Sequence, residues 1–309
     1  MKEIVIRQAA TAEDVEHFWQ QLNAYHTRDI FPEPGNEDLE YFLGEEYHHH
    51  MESIRTRSRD RAYFLFFQRD GEEIGFCMSV IYDSEDGKCL LMEFCIYPQF
   101  RGNGTGSTCA QVFLEWAENM QAEYVEINCD TEQRSRFWSR CGFTSNGRDE
   151  WGVPLMIRKP EKAVPVTVER LADPQDWQLL KLMNGFLSEI GEECLEEEKQ
   201  EQLQHAVQDD KITFFLAKRG TRAVGMCSVT AHFSTFCCGN VAVFEDFYIE
   251  PVFRKIGIAK LLANAAKEWC RKQGIGSLSV TCAPCDEQMY QHLGFDVALG
   301  RTFAVITGD

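Results

Sequence analysis

Two short segments of the sequence carry residue types suited to holding a phosphate group. One reads Arg-Gly-Asn-Gly-Thr-Gly at residues 101–106, and the other reads Arg-Lys-Ile-Gly-Ile-Ala at residues 254–259. Each follows an apolar run and leads into a stretch with helical periodicity. Glycines at such a junction let successive backbone N–H groups converge on one point, and the helix N-terminus adds partial positive charge. These segments, the first loop and the second loop, therefore predict anion binding.

The spacing in the first loop excludes two common phosphate-binding motifs. Gly102, Gly104 and Gly106 form G-x-G-x-G, whereas a dinucleotide fingerprint would need glycine or alanine where Ser107 or Cys109 stands. The P-loop pattern G-x-x-x-x-G-K-[ST] occurs nowhere in the chain. A different phosphate-containing ligand is indicated, and the alternative is a tight turn without a ligand.

The chain repeats itself once. Four features recur 150 to 162 residues apart, as the pairs Thr11/Asp173, Gly75/Gly225, Arg101/Arg254 and Gly142/Gly294. A repeat of this size is a domain, so the sequence predicts a tandem duplication. The prolines and mixed charges of residues 159–165 mark the boundary, which gives domains 1–160 and 161–309.

The same order of elements is predicted in both halves. A strand is followed by a helix capped at Thr11 or Asp173, an apolar strand pair, and a strand that runs into the glycine loop and a helix. A short alternating strand, a helix ending at Gly-Phe and a final strand pair complete each half, with Asn146-Gly147 as the turn in the first. This order predicts an α/β fold with helices on both faces of a sheet.

The composition and charge of the chain restrict the classes of partner that it is expected to bind. Among 309 residues, 31 are Lys or Arg and 49 are Asp or Glu, a formal charge of -18, which argues against nucleic acid and anionic membranes. The longest apolar run, residues 62–67, is far shorter than the ~20 residues of a membrane-spanning helix. The first residues lack a secretory signal. Thirteen scattered cysteines favour reduced thiols and a cytoplasmic location.

Both loops resemble the Q/R-x-x-G-x-G/A signature of the GNAT superfamily of N-acetyltransferases. Two further features are similar to that family: Pro98 or Pro251 shortly before the loop, and an aromatic-x-x-x-Gly-Phe segment after it. The resemblance covers both halves. It implies two GNAT-like domains, each a mixed, mostly antiparallel twisted sheet with a splayed central strand pair and helices on both faces. In that family the loop holds the pyrophosphate of acetyl-CoA, and the splayed strand pairs with the pantetheine arm.

The resemblance implies acetyl-CoA as co-substrate, no metal, and a set of cofactor-binding positions in each half. In the first half these are Phe94, Ile96, Arg101, Gly102, Asn103, Gly104, Thr105 and Gly106. In the second half they are Phe247, Ile249, Arg254, Lys255, Ile256, Gly257, Ile258 and Ala259.

Acetyl transfer to an amine requires a deprotonated amine, a polarised carbonyl and a proton for the departing thiolate. In the family a tyrosine four residues before the glycine of Gly-Phe often supplies that proton, and Tyr290 matches it. The first half has Trp138 there, whose indole N–H cannot serve. We therefore expect the second half to be catalytic. The first half is expected to bind CoA as an inactive partner, or to be an enzyme that uses another donor or substrate-assisted proton transfer. The alternative role for Tyr290 is packing.

The catalytic base is expected on the splayed strand, where Glu245 and Asp246 lie. Strand neighbours point to opposite faces, so at most one of them is expected to face the substrate. The Glu-Asp-Phe string resembles the polyamine acetyltransferase branch of the family, which favours Glu245. The first half has Met92 and Glu93 at these positions. A solvated strand residue is the alternative for Glu245.

The excess of acidic residues indicates the charge of the acceptor. Acidic residues concentrate at 29–46 and 189–201, where the family walls its acceptor site. We expect a small-molecule amine that is cationic, such as a polyamine or an aminoglycoside, or else a basic peptide end; solubility is the alternative role of these segments. A non-catalytic acyl-CoA sensor, or two domains acting on different amines, are the alternative functions. The acceptor's identity, the acyl chain and the oligomeric state stay open.

Two further patterns predict no metal site. His48, His49 and His50 are consecutive and do not share a helix face, so an exposed loop or helix rim is expected. Cys282 and Cys285 have C-x-x-C spacing without a second such motif.

Overall fold

The computed structural model describes residues 3–33, 35–159 and 164–300. The chain divides into two compact halves, Met1–Lys162 and Ala163–Asp309. The boundary predicted at residue 160 falls among residues 160–163, outside the described residues.

The first half forms one seven-stranded sheet. Its strands lie in the order β1-β2-β3-β4-β5-β7-β6, and only β4 and β5 run parallel among the described residues. Its elements are β1 (Ile4–Gln8), α1 (Ala12–Tyr25), a π-helical turn (His26–Ile30), α2 (Glu37–Leu43), α3 (Glu45–Arg55), β2 (Arg61–Arg69), β3 (Glu72–Ile81), β4 (Lys88–Ile96), a 3-10 turn (Pro98–Phe100), α4 (Thr105–Asn119), β5 (Tyr124–Asn128), α5 (Glu132–Arg140), β6 (Thr144–Arg148) and β7 (Pro154–Arg158).

The second half repeats this design in a five-stranded sheet. Its described strands lie in the order β12-β11-β10-β9-β8, with β11 and β12 parallel. Its elements are β8 (Val166–Arg170), α6 (Trp177–Glu189), α7 (Glu197–Val207), β9 (Ile212–Arg219), β10 (Arg222–Ser234), β11 (Gly239–Ile249), a 3-10 turn (Pro251–Phe253), α8 (Ile258–Lys272), β12 (Leu278–Ser279) and α9 (Glu287–His292). The predicted α/β fold is confirmed.

Helices cover both faces of the first sheet because its central strands are apolar on both sides. In β2, Leu65 and Phe67 pack with Phe113 of α4, whereas Phe64 and Phe66 pack with α1 and α3 on the other face. A strand buried on both faces explains the uninterrupted apolar run at residues 62–67. The same arrangement recurs in β9, whose alternate residues pack with α8 and with α6.

The central strand pair of each sheet splays apart. The pairing of β4 with β5 ends at Leu90 opposite Glu126, while β4 stays paired with β3 as far as Ile96. In the second half the pairing of β11 with β12 ends at Val243 opposite Ser279. Beyond these points one edge of β4 and of β11 no longer pairs with the neighbouring parallel strand. The predicted splay is confirmed.

One predicted helix start is wrong. Thr11 caps α1 in a capping box with Asp14, as expected. The second half's first helix begins at Trp177 and is capped by Asp176, whose side chain accepts the N–H of Gln178. Asp173 instead accepts the N–H of Gln175 within the preceding turn. Aspartate is a favoured N-cap residue, so both Asp173 and Asp176 are compatible with a helix start, and the structure uses Asp176.

The predicted turn at Asn146-Gly147 is also wrong, because both residues lie within β6. The chain reverses at Asp149–Gly152 instead. There the carboxylate of Asp149 accepts the backbone N–H groups of Trp151 and Val153, which closes the loop. In the second half β12 has only two residues, residues 296–300 contain no strand, and the rest of the predicted final pair lies outside the described residues.

Candidate functional site

The splay in the first half opens a cleft of about 1070 Å³. One wall is the unpaired edge of β4, and the floor is the first loop at the start of α4. The opposite wall comes from the end of β5 and from α5. Predicted positions that line this cleft are Phe94, Ile96, Arg101, Gly102, Gly104 and Gly106. Thr105 is buried in the first turn of α4 and Asn103 is exposed, and neither is among the lining residues.

The first loop has the backbone of an anion-binding site. Gly102, Asn103 and Gly104 have φ values of 90°, 49° and 80°, which is the left-handed region. Gly104 is the N-cap of α4, and no side chain of the described residues caps that helix. A Cβ atom built on Gly102 or Gly104 would meet no atom within 4 Å, so the space in front of the loop is open. The uncapped N–H groups and helix dipole together suit a phosphate group.

The second loop reaches the same geometry with one glycine. Gly257 caps α8 at a φ of 96°. Lys255 also has a positive φ, 64°, which costs a non-glycine residue roughly 1 kcal/mol. Ile258 is buried and Ile256 is exposed. A ligand at this loop would therefore meet the backbone of Ile258 and not its side chain.

The signature arginines brace the loops. Nε of Arg101 donates to the carbonyl oxygen of Ile96 at 2.7 Å, and its guanidinium donates to Asp29 at 2.6 Å. Arg254 repeats the pattern, with Nε 2.8 Å from the carbonyl oxygen of Ile249 and an ion pair to Glu189. Each arginine therefore ties the end of the splayed strand to the chain just after or at the end of the first helix. The sequence indicated cofactor contact but not this brace.

The contacts of Arg101 with Ile96 and Asp29, which we call the brace of the first half, change the acidity of Asp29. Burial alone would raise the pKa of this carboxyl, but hydrogen bonds from Arg28 and Arg101 outweigh it and lower the pKa to about 2. Asp29 is therefore charged throughout the ordinary pH range.

Glu93 lies on β4 in the wall of the cleft, next to a β-bulge, and it has a buried partner that the sequence did not indicate. Its Oε1 is 2.8 Å from Nε2 of His26, in the π-helical turn. The side chain of His26 is 1% exposed and that of Glu93 15%. The two are 67 residues apart in sequence, and no motif connects them.

Glu245 and Asp246 share one face of the second sheet. A bulge at this point gives Asp246 a φ of 48°, and its carboxylate accepts from Ser228 at 2.8 Å. Glu245 accepts from Thr230 at 2.9 Å. Ser228 and Thr230 are two residues apart on β10 and so point the same way, towards the face covered by α6. The expectation that these neighbouring side chains point to opposite faces is wrong, because the bulge breaks the alternation.

Tyr290 and Trp138 occupy matching aromatic clusters. The ring of Tyr290 lies 6.1 Å from Phe247 and 5.9 Å from Phe295. Trp138 lies 5.2 Å from Phe94 and 5.0 Å from Phe143. Both therefore stand beside the splayed strand. Burial raises the pKa of Tyr290 to about 12, so its hydroxyl keeps its proton at neutral pH.

The remaining candidates hold structural positions. His48, His49 and His50 lie on α3, and His48 stacks on Trp19 at 4.0 Å. All thirteen cysteines are free thiols. Within the described residues, no group of three His, Cys, Asp or Glu side chains is placed to hold a metal ion. In the same part of the chain, no helix combines the length and apolar content that a membrane crossing requires.

A family model described as acetyltransferase (GNAT) family matches residues 22–143 and 177–295. No curated protein sequence matches the chain. Similar solved structures include an aminoglycoside acetyltransferase from an uncultured soil metagenomic sample, at 17% identity and a TM-score of 0.43, covering 47% of this chain and 97% of its own. A possible acetyltransferase from Clostridium difficile 630 has 15% identity and a TM-score of 0.42, covering 47% of this chain and 99% of its own.

Proposed function

Because the chain belongs to the acetyltransferase (GNAT) family, we propose that it moves the acetyl group of acetyl-CoA directly to the primary amine of a cationic small molecule. One observation carries this proposal. In each half, a splayed strand ends in a loop with left-handed backbone at the uncapped start of a helix, and the open edge of the strand leads to that loop.

The residues present fit acetyl-CoA. The two loops offer backbone N–H groups and helix dipoles to its phosphates, and the open edges at Phe94, Ile96, Phe247 and Ile249 offer backbone groups to an amide-containing arm. We propose that both halves bind it. When bound, acetyl-CoA supplies the acetyl group as a reactive thioester.

We propose the second half as a catalytic centre. Glu245 takes a proton from the attacking nitrogen as the new C–N bond forms, and Asp246 beside it adds negative charge on the same face. Tyr290, protonated at neutral pH, gives its proton to sulfur as the C–S bond breaks. Solvent then returns a proton to Tyr290 and removes one from Glu245, so the protons balance.

The acceptor is proposed to be cationic because the acidic segments lie beside this face. Glu245 and Asp246 face α6, which ends at Glu189, and α7 follows with an acidic first turn. In the first half α2 begins with three acidic residues in its first turn. Negative charge around the site raises the local concentration of a cationic amine. The free thiols also support a reducing compartment, and we propose the cytoplasm.

Thiol release from acetyl-CoA tests the function. The full chain is incubated with spermidine, kanamycin, a lysine-ended peptide and neutral amines, and free thiol is measured against a control without amine. We expect release with at least one cationic amine, together with an acetylated product by mass spectrometry. Tight binding of acetyl-CoA without release by any amine would favour the acyl-CoA sensor instead, and a preference for neutral amines would contradict the cationic acceptor.

A further inference from the structure

The first half contains a buried histidine that lies next to several aromatic rings. His26 lies in the π-helical turn after α1, with ring centroids 5.0 Å from Phe42 and 6.2 Å from Phe31. Its Nε2 bonds Glu93, and its Nδ1 has no hydrogen-bond partner among the described residues. Burying a polar ring in this way costs free energy, so the contact with Glu93 calls for an explanation.

The need to attach the first helix to the sheet does not explain the contact of His26 with Glu93. The Arg101–Asp29 brace already ties this part of the chain to the end of β4, and the second half makes the same attachment through Arg254 and Glu189. In the described part of the second half, the matching carboxylate, Asp246, accepts a hydrogen bond from Ser228 instead of pairing with a histidine. A buried pair of this kind is also weak support for stability, because desolvation offsets much of its attraction.

We propose that the first half is a second acetyl-transfer centre, in which Glu93 accepts the proton of the amine and His26 is the residue that positions Glu93. This inference rests on the proposed function. In the tautomer with its proton on Nε2, His26 holds Oε1 of Glu93 and leaves Oε2 for a group in the cleft. Glu93 also stands 153 residues before Asp246, at the bulge beside the opening of the splay.

The step balances without Tyr290. As the C–N bond forms and the C–S bond of the thioester breaks, Glu93 takes one proton from the nitrogen and solvent protonates the departing sulfur. Glu93 then returns its proton to solvent. Trp138, at the position of Tyr290, packs against Phe94 and has no part in proton transfer.

The test uses the full chain with the second half silenced by Tyr290→Phe and Glu245→Gln. Thiol release is measured with acetyl-CoA and spermidine, kanamycin or the lysine-ended peptide. We expect residual turnover in this background, and Glu93→Gln to lower its kcat by about 100-fold, the scale of general-base catalysis, while the affinity for acetyl-CoA by calorimetry stays unchanged. No residual turnover, or a Glu93→Gln effect within twofold, would overturn the proposal.

The role of His26 is separated from a structural one by conservative variants in the same background. His26→Phe keeps a ring but removes the donor, and we expect kcat to fall about tenfold at unchanged KM for acetyl-CoA. His26→Gln, whose amide can donate to Glu93, should recover most of the loss. A fall in melting temperature without a fall in kcat per folded molecule would contradict a positioning role.

The chain offers a matched control. His17 and Glu73 form another pair, 3.0 Å apart, between α1 and the sheet of the same half, and neither residue lines the cleft. His17→Phe and Glu73→Gln should leave the residual turnover unchanged. Equal losses in both pairs would show that the His26 effect is structural. Absence of turnover in the wild-type chain would contradict the proposed function itself, and this inference with it.

Discussion

The two halves keep the same backbone arrangement and differ in the side chains beside the splay. Both have the splay, the left-handed loop at a helix start and the arginine brace. At the opening the first half has Trp138 and a buried His26–Glu93 pair, while the second has Tyr290 and two carboxylates bonded to hydroxyls. Backbone geometry has been retained after duplication, and the side chains beside it have diverged.

The largest expected difference between the halves concerns the aromatic beside the splay. Tyr290→Phe should lower turnover of the second half by about 100-fold, because it removes the proton donor while keeping the ring contacts. Trp138→Phe, the matched change, should alter turnover less than threefold. Steady-state kinetics measure Tyr290→Phe with Glu93→Gln present, which isolates the second half, and Trp138→Phe with Glu245→Gln present, which isolates the first half. Equal effects of the two changes would mean that Tyr290 only packs.

Substitution of a glycine in either loop should have a similar effect, which is smaller than that of Tyr290→Phe. Gly104→Ala and Gly257→Ala force a residue with a Cβ into left-handed backbone, a cost of about 1–2 kcal/mol. The free loop can relieve this strain by leaving the left-handed region, and binding must then restore it, so we expect acetyl-CoA affinity at the altered half to fall roughly tenfold. Calorimetry measures the affinity of each site. Gly71→Ala is the control, since Gly71 has a φ of 79° in the turn between β2 and β3, away from the cleft. A loss in affinity with this control as large as that of Gly104→Ala would contradict a local effect.

The brace predicts a pH dependence in the first half. The pKa of Asp29 is lowered from its usual 3.8 to about 2 in the folded chain. As the pH falls, the unfolded chain therefore takes up this proton before the folded chain does. The stability from Asp29 is therefore present above pH 4 and lost as the pH falls through about 2. Asp29→Asn should remove about 1–2 kcal/mol of unfolding free energy at pH 7.

Denaturant titrations between pH 7 and pH 2 check this. The variant and the wild type should converge at the acid end, where the wild-type carboxylate is protonated too. A constant difference across the range would mean that the charge of Asp29 contributes nothing.

The smallest expected effect is that of salt on the KM for the acceptor amine. Raising ionic strength from about 50 to 200 mM screens the acidic segments and should raise KM for a cationic amine a few-fold, with little change in kcat. A neutral amine of similar size serves as the control. Identical salt responses would indicate that the acidic surplus is not directed at the acceptor.

The sequence predicted the duplication, the fold and the positions of both loops because these depend on local spacing and periodicity. The contact of His26 with Glu93 was not predictable, since it joins residues 67 positions apart through a π-helical turn that no pattern marks. The shared face of Glu245 and Asp246 was mispredicted because alternation assumes a regular strand, and the bulge appears only in the register. The partners of Arg101 and Arg254 likewise come from distant helix ends.

Counting acetyl-CoA sites by isothermal calorimetry shows whether both halves, although their side chains have diverged, bind acetyl-CoA through the same splayed strand and loop. We expect two sites per chain, with Gly104→Ala weakening one and Gly257→Ala weakening the other. A single site unaffected by one of these changes would show that one loop binds nothing, and no binding at all would show that neither half holds acetyl-CoA.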